Sequence, residues 1–144
     1  MLKKSLLCIF MTFSLLSLSG CITGVILIGA ALVAAGGTYY YLDGNYIVEL
    51  PDSTREVYSA TLKYMQTGSK YRIKENNFTN GIGYVEVESK SDGELVGIDI
   101  KSKSTSENIT TIKIRYGLMG NEKASGEIAD GISGNLPKKD NSTL

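Results

Sequence analysis

Cys8 and Cys21 are the only two cysteines in the chain, and their settings differ. Cys8 lies inside an apolar run, whereas Cys21 closes it, directly behind Leu18, Ser19 and Gly20. Small residues at that point let an extended backbone enter a peptidase groove, and a thiol is the one side chain there that can take a diacylglyceryl thioether. The remaining groups with chemical capacity are carboxylates and one arginine. Glu86 and Glu88 are two apart, so on a strand they share a face, where paired carboxylates can do acid–base work or hold a cation. Asp99 can stand opposite them, but Lys101, Lys113 and Arg115 fall in the same polar phase. A solvated sheet face with cross-strand ion pairs accounts for all six. Arg115 has Gly117 and Gly120 close behind, and its guanidinium can hold a carboxylate or phosphate bidentately. A salt bridge to Glu86 or Asp99 is its simpler use. Asn121 to Lys123 could hold an anion at a helix start, although capping alone explains Asn121.

What the chain lacks narrows the chemistry. It contains no His and no Trp. Ser-His-Asp and Cys-His catalysis are therefore excluded, and a zinc or copper site has no ligands of its usual kind. No metal, no cofactor and no enzymatic activity are expected. Lysine plus arginine and aspartate plus glutamate number 15 each, for a formal net charge of zero. There is thus no overall basic footprint for nucleic acid.

Lys3 and Lys4 precede an apolar stretch from Leu6 to Leu18, and no other charge occurs before Asp43. A positive start, a short apolar core and a small-residue cleavage site make a signal peptide. Leu18-Ser19-Gly20-Cys21 resembles the lipobox of bacterial lipoproteins at all four positions. The resemblance implies cleavage between Gly20 and Cys21 and lipid on Cys21, so that the membrane lipid itself is a partner; the alternative is an ordinary secretory signal with a chance cysteine. Ile22 follows, rather than the aspartate that retains Gram-negative lipoproteins in the inner membrane. The resemblance therefore implies the outer membrane, facing the periplasm.

Four regions follow from this: a signal over residues 1–20, a lipidated apolar segment over 21–42, a periplasmic domain over 43–136 and a disordered tail over 137–144. Loss of the signal leaves roughly one domain's worth of chain, with no thiol for an internal disulfide. Residues 22–42 are uncharged and rich in Gly and Ala, ending in Tyr39-Tyr40-Tyr41. Three readings stay open for them. They can lie on the membrane with the tyrosines at headgroup level, span it, or pack on another copy through small residues. Gly36-Gly37 is the expected hinge.

Beyond Gly44 the periodicity is regular. Tyr46, Val48 and Leu50 alternate with polar or outward positions, as a strand does. Ser53-Thr54-Arg55-Glu56 is a capping box, and Val57, Ala60, Thr61, Tyr64 and Met65 form one face of the helix it opens. Four strands are expected next, near residues 70–74, 83–88, 95–101 and 110–116, with turns at Asn80-Gly81 and Asp92-Gly93. Asn121 then caps a last helix with the stripe Ala124, Ile128 and Ile132, weakened by Gly126 and Gly131. One-sided strands imply an antiparallel sheet with one wet face. The expected fold is α+β, a two-layer sandwich of about five strands in the order β-α-β-β-β-β-α covered by two helices.

This layout resembles a family of small bacterial lipoproteins catalogued only as a domain of unknown function. The matching segments are Gly20-Cys21 with the apolar run, Tyr39-Tyr40-Tyr41-Leu42-Asp43-Gly44, Val57-Tyr58-Ser59-Ala60-Thr61-Leu62, Ile112-Lys113-Ile114-Arg115-Tyr116-Gly117 and Gly120-Asn121-Glu122-Lys123-Ala124-Ser125. Asn121 stands where the family usually has Asp, an equally good cap. The resemblance brings no activity with it. The sequence is best read as a membrane-anchored envelope protein of non-enzymatic role, binding another envelope component or self-associating. The alternative is a ligand carrier with a cavity between sheet and helices.

Overall fold

The computed structural model describes residues 30–104 and 108–139. The signal, Gly20, Cys21 and most of the apolar segment lie outside the described residues, as does the tail from residue 140. The elements run α1 (Ala30–Ala34), β1 (Thr38–Leu42), β2 (Asn45–Leu50), α2 (Thr54–Gln66), β3 (Tyr71–Thr79), β4 (Ile82–Ser89), β5 (Leu95–Ser102), β6 (Thr110–Tyr116) and α3 (Glu122–Gly134). The strands form one sheet in the order β1-β2-β6-β5-β4-β3, and every neighbouring pair is antiparallel.

The sheet has six strands rather than about five. The additional strand is β1, so Tyr39, Tyr40 and Tyr41 sit in a strand at a sheet edge. Asp43 and Gly44 both have positive φ, 49° and 78°, the backbone a two-residue hairpin requires. That turn folds β1 back on β2, where Tyr39 stacks on Tyr46 with ring centroids 5.2 Å apart. Tyr-Tyr-Tyr shows no alternation of polarity, which hid the strand. β3 also runs further than expected, to Thr79, and its ladder with β4 slips between Ile73 and Glu75.

The strand phases follow the alternation of the sequence. Registers Tyr46↔Ile114, Ile98↔Ile114 and Val85↔Ile98 put apolar side chains in one row. Val48, Ile112 and Ile100 form the next, and all of these but Tyr46 are fully buried. α2 and α3 cover this face with Val57, Ala60, Met65, Ile128, Ala129 and Ile132. The capping box is formed: Glu56 N–H donates to the Ser53 hydroxyl, and Ser53 N–H donates to the Glu56 carboxylate at 2.9 Å. Gly131 has a packing reason that its helix-weakening effect concealed: a Cβ there would run into the Tyr64 ring.

A third helix, α1, joins the helix layer. Leu32 is fully buried in the core. The N–H groups of Ala31 and Leu32 both donate to the Asp130 carboxylate, at 2.8 and 3.2 Å, so a side chain of α3 caps the first turn of α1. Gly37 fits tightly behind it, since a Cβ there would meet Leu32 and Leu50 methyls at 2.5 and 2.8 Å.

Candidate functional site

Glu86 and Glu88 share the outward face of β4, and each of the three carboxylates has its own partner. Glu88 pairs with Lys74 at 3.3 Å and Arg72 at 3.9 Å, and Asp99 faces Lys113 at 3.9 Å. Glu86 accepts from the Tyr84 hydroxyl at 3.0 Å. Partial burial, with Glu86 next, raises the Tyr84 phenol above its ordinary pKa. Among the described residues no group of three or more His, Cys, Asp or Glu is placed to hold a metal.

Arg115 does not pair with Glu86 or Asp99 as the sequence led one to expect. Its Nε and Nη2 donate to the Leu118 carbonyl at 3.2 and 2.6 Å, and its Nη1 donates to the Asp43 carbonyl at 3.0 Å. The cation is thus spent on two turns, the β1–β2 hairpin and the β6–α3 connection. These touch backbone to backbone. Gly120, with φ 82°, lies so close to Gly44 that a Cβ would overlap its main chain. Only glycine tolerates both conditions. Two of the segments that carry the family resemblance, residues 39–44 and 112–125, meet here.

Asn121 is occupied as well. Its side chain accepts from Ala124 N–H at 3.0 Å, which is capping. The β6–α3 turn presents Leu118 and Met119, each 83% exposed, the most exposed large apolar residues described.

Beside this junction the outer sheet face carries a groove of about 600 Å³. Its floor is Gly97, whose absent side chain opens the layer; a Cβ there would meet nothing within 4 Å. The register puts Gly97 between Glu86 and Arg115. Tyr84, Asp99 and Lys113 form the next cross-strand row, and Leu95, Arg115 and Leu118 also line the groove. The groove therefore offers hydrogen-bonding groups of both signs and an apolar end. Sequence reasoning found Arg115 but missed the groove. The available signal was Gly97, a lone glycine at an outward strand position. A second concavity, about 510 Å³, lies between α1 and residues 133–139, lined by Ala31, Ala34, Gly36 and Gly134; Lys139 pairs there with Asp52 at 3.2 Å.

The fold is a small α+β domain, an open antiparallel sheet with a helix layer on one face and the Gly97 groove on the other. Residues 4–135 match a family described as "Protein of unknown function (DUF3568)", and the chain belongs to that family. No curated protein sequence is similar to it at a significant level.

Proposed function

We propose that this is a lipid-anchored protein of the bacterial envelope with a non-enzymatic binding role. Cys21 carries the lipid, and the domain faces the periplasm from the outer membrane. The observation that carries the reading is the position of α1. The described chain begins in the helix layer, on the side of the sheet opposite the Gly97 groove. Leu18-Ser19-Gly20-Cys21 supports the anchor itself, and the family match, which begins at residue 4, takes that segment in. The space between sheet and helices is filled by Val48, Val57, Ile98, Ile112, Ile114 and Ile128, all fully buried. This favours a surface binder over a carrier with a cavity there.

Radiolabelled palmitate tests the anchor. The parent chain should take the label and fractionate with outer membranes, and Cys21→Ser should do neither. Equal labelling of the two proteins, or a parent confined to inner membranes, would count against the reading. Stable anchoring takes more than one acyl chain, which a multiply acylated cysteine supplies.

A further inference from the structure

We propose that two copies of this chain join edge to edge through β1, antiparallel about a two-fold axis at Tyr40, so that their sheets become one. The inference goes beyond the anchoring reading and does not need it.

An edge strand offers a row of main-chain donors and acceptors to any passing strand, and folded proteins blunt such edges with charge, proline or a bulge. The two edges of this sheet are treated differently. β3 carries Arg72, Lys74 and Glu75, and its ladder is displaced between Ile73 and Glu75. β1 reads Thr-Tyr-Tyr-Tyr-Leu, with no charge and no proline, and its register with β2 is unbroken. Among the described residues no strand pairs with its other side. Tyr39 and Tyr40 are each 50% exposed and Leu42 is 56% exposed.

The occupant this edge fits is itself. An uncharged strand meets its own copy without like-charge repulsion, which β3 could not do. Antiparallel pairing centred on Tyr40 sets Tyr40 against Tyr40, Tyr39 against Tyr41 and Thr38 against Leu42. Inward side chains then meet inward ones and outward meet outward. Such an isologous contact closes at two copies. The alternative, β1 of one copy on β3 of the next, would propagate into a filament, and the charges and bulge of β3 oppose it. The edge is also held ready before contact. Tyr39 stacks on Tyr46 at an interplanar angle of 10°, and Arg115 holds the Asp43 carbonyl at the end of the strand. Little ordering is left for association to supply. A two-fold of this kind is perpendicular to the sheet, so both helix layers, and both points where the chain enters, lie on one side.

The full chain with Tyr40→Cys is the direct test, oxidised in membranes and run without reductant. It should give a disulfide-linked dimer that the parent does not give. Asn76→Cys, on the β3 edge, should not link. Light scattering in detergent should show the parent as a dimer and Tyr40→Lys as a folded monomer, with the parent's melting temperature alone rising with protein concentration. A parent monomeric at every concentration, a Tyr40→Lys protein that stays dimeric, or linking through Asn76→Cys equal to that through Tyr40→Cys would each overturn the proposal. Should Tyr40→Lys fail to fold, the cysteine pair decides. An unlabelled Cys21 with an intact dimer would defeat the anchor alone, and a labelled monomer the dimer alone.

Discussion

Arg115 Nη1 donates to the carbonyl oxygen of Asp43 at 3.0 Å, joining residues 72 positions apart. The same guanidinium holds Leu118, so one side chain ties two turns whose main chains touch at Gly44 and Gly120. Arg115→Ala should cost about 1–2 kcal/mol, as hydrogen bonds to an exposed charged group do. Lys at this position should not restore it, because one ammonium lacks the planar fork. Gly120→Ala should cost about 2 kcal/mol or more, since φ 82° and the contact with Gly44 act together. Urea melts of the three variants check both statements, and an Arg115→Lys protein as stable as the parent would refute the clamp.

The phase of β6 can be tested by a pair of neighbours. Ile114 is fully buried between Tyr46 and Ile98, whereas Lys113 is exposed opposite Asp99. Ile114→Ala should cost about 2–5 kcal/mol and Lys113→Ala no more than about 0.5 kcal/mol. Equal shifts in denaturant midpoint would mean that the sheet faces have been exchanged.

Ser125 is fully buried in α3, and its hydroxyl has no hydrogen-bond partner among the described residues. A buried polar group left alone is costly, so Ser125→Ala should raise stability by up to about 1 kcal/mol. A loss of that size would show that the hydroxyl is engaged after all.

The capping box of α2 gives a pH signature. The Ser53 hydroxyl, and next its main-chain N–H, hold the Glu56 carboxyl below its ordinary value of 4.5. A depressed carboxyl pKa means stabilisation that is complete above pH 4.5 and lost as the pH falls through the folded-state value. Ser53→Ala should cost about 1 kcal/mol near neutrality, and the gap to the parent should narrow in acid. A gap that stays constant down to about pH 3 would rule out the linkage.

Truncation locates the true start of the folded unit. A chain beginning at Ala30 keeps Leu32 and β1 and should melt as the full chain does. One beginning at Asp43, the boundary that hydropathy suggests, loses both and uncovers the β2 edge, with Leu32 alone representing about 2–3 kcal/mol of burial. Scanning calorimetry of the two should separate them, and identical melting would show that α1 and β1 contribute nothing.

Legibility divides along physical lines. Strands β2, β4, β5 and β6 were readable because each buries one face, so polarity alternates with the pleat. The helices α2 and α3 announced themselves by their caps and stripes. β1 was not readable in that way, because an edge strand of tyrosines buries neither face fully. Yet Asp43-Gly44 carries a hairpin signal, which the end of the uncharged run at Leu42 overshadows. Arg115 was recognised as unusual, but its acceptors are main-chain carbonyls, which leave no mark in side-chain identity. The groove was missed because its floor is an absence, the side chain that Gly97 lacks.

The clasp on α1 has a mechanical consequence. Tension on the chain ahead of Ala30 would not first reach the β1 edge. It would meet Leu32 in its pocket and the two hydrogen bonds to Asp130, and would pass from there into α3. A pull from that end would thus load the domain through a buried knot at the helix layer, leaving the strands behind it unstretched until that knot slips.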